Sequence, residues 1–332
     1  MLKINTMDMK MMKNNPWKEL NQTVNTKRCD PASSFNFYWG LNNNGEYLFL
    51  IEHKNCEDWP SKKLSFSEIN IEHYQLKLGY RVLLTLKNLN DWDIFYTLCN
   101  DLLVLSKEVD TEKVLLIMIH NRLQRWQKMF RKTGKKLLTE QEQQGLIGEL
   151  YFLSKYLFNN YSTPAALSFW RGPVGEKQDF GIGNNSIEIK TKLGTSSSNI
   201  QISSIEQLDF QTQFGFLYVM TLNYSNNNGD TFTLNSIIAD IKKKIVDYES
   251  IELFESLLLE IGYLELPEYG EKHYEINKDC FYEVKNDFPK LTFNNIPNGI
   301  SNVQYTIDLK SCNSYILEKD IFVKRILNDR PV

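Results

Sequence analysis

The chain has 332 residues, 42% of them hydrophobic and 24% charged, and a formal net charge of −3 at pH 7. That length suits about two domains, and the composition is that of a folded soluble protein. The net charge does not advertise nucleic-acid binding, no apolar run approaches the ~18–20 residues that cross a bilayer, and Met1 to Lys13 has no sustained apolar core for a signal peptide.

In chain order, residues 1–30 read as an irregular lead with Trp17 and Leu20 as anchors. Phe35 to Ile51 reads as a β-hairpin: Phe37-Tyr38-Trp39 and Tyr47 to Ile51 are strand-like, and Asn42-Asn43-Asn44-Gly45 supplies the turn. Leu76 to Leu86 is a further strand. Asp91 to Leu105 and Thr111 to Phe130 carry apolar residues at helical spacing. This first third is therefore α+β and separate from the rest of the chain. The five cysteines, Cys29, Cys56, Cys99, Cys280 and Cys312, are odd in number and scattered without metal spacing. That speaks against zinc and for a reducing, cytoplasmic setting.

Charge is unevenly spread. Asn121 to Lys136 holds seven basic residues and no acid, whereas Asp247 to Asp287 holds twelve acids against three basic residues. A local basic stripe serves a phosphate backbone despite an acidic total, and a solvated helix face explains it equally well. After the break at Thr133-Gly134-Lys135-Lys136, Thr139 with Glu142 forms a capping box. It starts a helix to about Phe158, with Leu146, Ile147, Leu150, Leu153 and Leu157 as its apolar stripe. Glu149 sits at the edge of that stripe, roughly 80° from its centre at ~100° per residue.

Strands are expected at Ala166–Trp170, Asp179–Ile182 and Asn185–Thr191, with a short extended piece at Asn199–Ser203. Ser203 with Glu206 marks a short helix through about Phe210, and Gly215–Leu222 is a buried strand. Beyond a polar loop, Thr233–Tyr248 and Ile251–Ile261 are helical, and Tyr274–Val284 and Val303–Leu309 are strands.

The chemistry-bearing pattern is Asp179, a tight turn, then Glu188-Ile189-Lys190. On a strand, Ser186, Glu188, Lys190 and Lys192 share one face. With Gly183-Asn184 as a type II′ turn, Asp179 falls opposite Glu188; with Asn184-Asn185 as the turn it falls opposite Lys190. Two carboxylates suit a hard cation such as Mg²⁺, which activates water near neutral pH. A neighbouring lysine orients that water or stabilises developing charge. Glu-x-Lys alone is a weak signal, since Glu52-His53-Lys54 and Glu283-Val284-Lys285, the latter with Asp279 upstream, also carry it. Those two read as solvated strand faces.

Several segments resemble a PD-(D/E)XK family, a bacterial group within the restriction-endonuclease-like nucleases. They are Gly145-Leu146-Ile147-Gly148-Glu149-Leu150, Trp170-Arg171-Gly172-Pro173, Gln178-Asp179-Phe180, Ile187-Glu188-Ile189-Lys190 and Ile202-Ser203-Ser204-Ile205-Glu206-Gln207-Leu208. The resemblance implies an α/β fold whose central mixed sheet is flanked by helices in αβββαβ order. It places that nuclease core at 137–225, between an N-terminal α+β region at 1–136 and a C-terminal α+β extension at 226–332. It implies Asp179 and Glu188 as ligands of Mg²⁺ or Mn²⁺, Lys190 as the residue acting on water, Glu149 as an accessory acid and metal ligand, and Gln207 as a polar residue of the second core helix.

It further implies a DNA substrate and a restriction or antiphage setting beside helicase-like or methyltransferase partners, and cutting two strands would favour a homodimer. Arg122, Arg125, Arg131, Lys132, Lys135 and Lys192 are the candidate nucleic-acid contacts. Gln178 stands where the family pattern has its proline. The alternatives are a non-catalytic DNA-binding or assembly subunit on a nuclease scaffold, and an interaction protein built on the acidic C-terminal third.

Overall fold

A computed structural model describes residues 15–21, 25–31, 33–55, 58–133, 137–226, 229, 231–285 and 287–328. The chain forms two compact units, Met1–Leu137 and Leu138–Val332.

In the first unit, β1 (Thr26–Arg28), β2 (Asn36–Leu41), β3 (Tyr47–His53), β4 (Ile69–Gln75) and β5 (Tyr80–Leu86) form an antiparallel sheet in the order β1-β2-β3-β5-β4. The expected hairpin is β2–β3. Asn42 Oδ1 accepts the backbone N–H groups of Asn44 and Glu46 at 3.0 and 2.9 Å, closing its turn. The strand expected from Leu76 begins only at Tyr80, because Leu76 to Gly79 is itself the turn from β4, with the Leu76 N–H on the Gly79 carbonyl. Strand β4 is not evident from the sequence: Asn, Glu, His and Gln outnumber its two isoleucines, as suits an edge strand. Helices α1 (Trp92–Leu105) and α2 (Glu112–Thr133) complete the unit. Trp17 and Leu20 are buried, and the Trp17 indole donates to the Leu48 carbonyl at 2.8 Å.

The second unit opens with α3 (Glu140–Phe152), whose capping box between Thr139 and Glu142 is formed as expected. One π-helical turn, Leu153–Leu157, carries it on. Residues expected as a strand at Ala166–Trp170 instead form α4 (Thr163–Ser168). Pro164 in its first turn and the Ala165-Ala166-Leu167 run favour helix, and only Trp170 makes a β-bridge, to Phe180.

The main sheet contains β6 (Phe180–Ile182), β7 (Asn185–Leu193), β9 (Phe214–Tyr224), β10 (Tyr274–Glu283) and β12 (Ile316–Leu317), in the order β12-β10-β9-β7-β6. It is mixed: β7 and β9 run parallel and the other neighbours antiparallel. Strands from beyond residue 225 thus continue the same sheet. Between β7 and β9 lies β8 (Asn199–Ile202), which joins β11 (Tyr305–Asp308) in a separate two-stranded ribbon. The helix expected from Ser203 is only a 3₁₀ turn, Ile205–Gln207, because the Ser204 side chain caps nothing and Leu208 leaves helical geometry. Helices α5 (Leu234–Lys244), α6 (Tyr248–Ile261) and α7 (Lys319–Asn328) complete the unit. Ile245 is extended, so the helix expected to reach Tyr248 is cut short and α6 starts there instead.

The two faces of this sheet are covered differently. On one, Phe152 and Phe322 pack on Phe180, Tyr218, Phe216 and Phe281, so α3 and α7 form the cover. On the other, Ile200, Ile202 and Ile307 of the ribbon pack on Leu217, Val219 and Tyr282. Among the described residues, the ribbon and the 3₁₀ turn Leu309–Tyr315 cover this face, where α-helices are expected. Among the described residues, no helix is long and apolar enough to cross a membrane.

Candidate active site

Strand β7 organises the site. Its hairpin with β6 pairs Ile182 with Asn185 and Phe180 with Ile187. Gly183 takes φ +55 while Asn184 does not enter the left-handed region, as a type II′ turn requires. This decides between the two registers in favour of the Gly183-Asn184 turn, and the next position along sets Asp179 beside Glu188. The ladder ends there. The Asp179 carbonyl turns back to accept the N–H groups of Arg171 and Gly172 at 2.8 and 3.1 Å. Its carboxylate Oδ2 takes the β7 N–H of Ile189 at 2.7 Å. The acid is thus fixed by capping the ladder bond that β6 leaves open.

Glu188 is 1% exposed, and its neighbours on β7 decide why it can be buried. Ile187 and Ile189 anchor the opposite face of the strand in the core, while the ribbon side closes over Glu188. Glu188 Oε1 lies 2.8 Å from Lys190 Nζ, and its Oε2 is buried with no hydrogen-bond partner. Lys190 Nζ also donates to Gln207 Oε1 at 2.9 Å, and that same oxygen accepts the Ser203 N–H at 2.8 Å. Gln207 therefore steers Lys190 from a 3₁₀ turn, where the sequence predicts a helix.

Glu149 reaches the cluster because α3 lies close on β7. A methyl at Gly148 would sit 2.1 Å from Thr191 Oγ1, so only glycine permits this approach. The Trp170 indole donates to Glu149 Oε2 at 2.7 Å. A methyl at Gly172 would lie 3.0 Å from Glu149 Oε2 and 3.2 Å from Asp179 Oδ1, so both carboxylates converge on that backbone. Trp170 had no assigned role in the sequence, although it stands in the Trp-Arg-Gly-Pro segment.

Electrostatics sets this cluster apart. Burial, then Asp179, push the Glu149 carboxyl well above the usual range, against Trp170 and Lys190. Burial, Asp179 and Glu149 do the same to Glu188, against Lys190. Asp179 is pushed up to about 6 by burial, opposed by the Ile189 N–H and Lys190. Three carboxylates face one ammonium, so the cluster is short of positive charge.

A divalent cation fits this donor set: the orphaned Glu188 Oε2 and the Gly172 cradle supply oxygen and room, and the cation would offset the repulsion. Among the described residues no three His, Cys, Asp or Glu side chains close on one point as a metal cage. Mg²⁺ does not ask for one, since it is held by one or two carboxylates and keeps several waters.

The basic candidates divide. Lys192 lies on the Glu188 and Lys190 face of β7. Arg122, Arg125 and Arg131 lie on α2 in the first unit. Arg122 is committed to Asp101, with Nε and Nη2 both at 2.7 Å from its oxygens. The role of backbone contact assigned to Arg122 therefore gives way to a structural one, because a paired, part-buried guanidinium is not free to meet a phosphate. Lys135 lies outside the described residues, as does the side chain of Lys132.

No curated protein and no solved structure matches the chain. Residues 13–310, which span the whole cluster, match the family described as "Putative PD-(D/E)XK family member" (DUF4420), and the chain belongs to that family.

Proposed function

We propose that this protein is a divalent-metal-dependent endonuclease that hydrolyses phosphodiester bonds in DNA. One observation carries the reading: a lysine and three carboxylates gathered with too little positive charge, around a buried carboxylate oxygen of Glu188 that has no hydrogen-bond partner. Asp179 and Glu188, with Glu149, would hold Mg²⁺ or Mn²⁺. The cation, when bound, supplies Lewis-acid polarisation of the phosphoryl oxygen and a water acidic enough to attack near neutral pH. Lys190, fixed between Glu188 and Gln207, orients that water and stabilises charge building on the phosphorus oxygens. Arg125, Arg131, Lys132, Lys135 and Lys192 would contact the DNA backbone.

A place in restriction or antiphage defence, in the cytoplasm, as a homodimer or beside helicase-like or methyltransferase partners, follows from the family resemblance. A second reading, a DNA-binding or assembly subunit on this scaffold, is favoured by the lack of a closed metal cage among the described residues. The test is cleavage of duplex DNA with Mg²⁺ or Mn²⁺ by purified wild type, Glu188→Ala and Lys190→Ala, with circular dichroism as the folding control. Loss of cleavage in folded variants is expected. Cleavage retained by the double variant would remove this site, and calorimetry without carboxylate-dependent Mn²⁺ binding would favour the second reading.

A further inference from the structure

A second feature lies farther along the same strand face. A groove of about 270 Å³ opens where β7, β9 and β10 meet the 3₁₀ turn Leu309–Tyr315. Three lysines from distant parts of the chain border it: Lys192 on β7, Lys278 on β10 and Lys310 on the turn. Ser198, Thr221 and Asn313 add neutral hydrogen-bonding groups, and no acidic side chain lines it.

None of the three ammonium groups forms an ion pair with a described residue. Lys192 Nζ donates to the Ser196 carbonyl, at 3.4 Å. The nearest acid in sequence, Asp308, is engaged by the Ser198 hydroxyl and the Lys310 N–H, and the Lys310 ammonium acts on it without closing to an ion pair. Three like charges around one groove repel each other unless an anion joins them.

The pleat relates this groove to the candidate active site. Glu188, Lys190 and Lys192 are successive residues on one face of β7, registered on Leu217, Val219 and Thr221 of β9. Lys278 and Cys280 of β10 register on Thr221 and Val219, so they share that face. At ~3.3 Å per residue, Lys192 stands about 13 Å beyond Glu188. A nucleic-acid strand rises ~3.4 Å per nucleotide along its axis and also turns about it, so this distance spans about two phosphates of one strand.

We propose that the groove bounded by Lys192, Lys278 and Lys310 seats backbone phosphates of DNA a few nucleotides from the cut. The assignment rests on the nuclease reading for its orientation, and adds Lys278 and Lys310 as positioning contacts. Such contacts carry charge but no base recognition, so they govern affinity and register, not sequence choice.

The test is fluorescence anisotropy with labelled duplex DNA in EDTA, across 50 to 200 mM salt, on the full chain. The variant is the triple Lys192→Ala, Lys278→Ala, Lys310→Ala, with a melting curve as control. Releasing three phosphate contacts should flatten the slope of log affinity against log salt by about 2.7. Affinity should fall at least tenfold at 100 mM salt, equally for two unrelated duplexes. The single charge reversal Lys278→Glu should move both quantities in the same direction.

Unchanged slope and affinity in a folded triple variant would overturn the groove, as would a wild type that binds no duplex. A tenfold preference for duplex RNA of the same sequence would overturn DNA as the ligand. EDTA separates this result from the nuclease reading, because binding is measured without cleavage and the Glu188→Ala assay is judged on cleavage alone.

Discussion

Two strands of one sheet carry nearly the same residues and put them to opposite uses. On β10 the pattern is Asp279 followed by Glu283-Val284-Lys285; on β6–β7 it is Asp179 followed by Glu188-Ile189-Lys190. Around Glu283 every charge is answered. Arg325 donates to Oε1 and Lys285 Nζ lies 3.2 Å from Oε2. Although burial pushes its carboxyl up, these partners hold it below the usual range. Asp279 Oδ2 accepts the hydroxyls of Tyr156 and Tyr218 at 2.6 and 3.1 Å. Glu188 is buried more deeply, shares its single lysine with two other acids and keeps an oxygen without a partner. A buried charge that is fully answered serves the fold. One left short of counter-charge is tolerated where a ligand makes up the deficit.

The comparison breaks most directly on activity. Glu188→Ala or Lys190→Ala is expected to lower divalent-dependent cleavage of duplex DNA by at least about a thousandfold. Glu283→Ala and Lys285→Ala should each change it less than about threefold. Equal losses on both strands would mean that the charge deficit does not distinguish them.

The next largest effect lies in the first unit. Asp101 is 4% exposed and answers both Arg122 and the Trp126 indole. Asp101→Ala should cost that unit about 3–5 kcal/mol in denaturant unfolding, the cost of stranding a buried charge. Gly148→Ala probes the approach that gives β7, but not β10, its third acid. The added methyl meets Thr191 and should cost about 1–3 kcal/mol while lowering cleavage through Glu149.

The smallest effect is the most diagnostic. With its folded-state value raised from 3.8 to about 6, Asp179 contributes stability that is complete below pH 3.8 and is lost as pH rises through 6. In metal-free protein, Asp179→Asn should therefore raise stability at pH 8 and leave it unchanged near pH 3.5. Adding Mg²⁺ at pH 8 should stabilise the wild type and not the variant. Thermal melts in EDTA and in Mg²⁺ read both.

Much of the site was legible in the linear chain because it depends on local rules. Either of two turns brings Asp179 to the Glu188 and Lys190 face, the structure choosing the one with Gly183 first, and alternation along β7 puts Glu188, Lys190 and Lys192 on one face. The Thr139 capping box starts the helix that carries Glu149. Long-range packing was not legible. Ala166–Trp170 reads as a short strand, but Pro164 in the first turn and the packing of the unit make Thr163–Ser168 a helix. Gln207 meets Lys190 although its expected helix shrinks to a 3₁₀ turn, because the contact needs only one turn of chain. Arg122 looked like one cation in a basic stripe until Asp101, on another helix, claimed it.

The sequence by itself determined that Glu188, Lys190 and Lys192 share one face of β7, because the two-residue strand period acts between near neighbours. Only the tertiary structure decided which charges are answered. Arg325, Trp170 and Lys310 meet the sheet from distant segments, and whether a buried carboxylate has a partner depends on such meetings and not on the residues beside it.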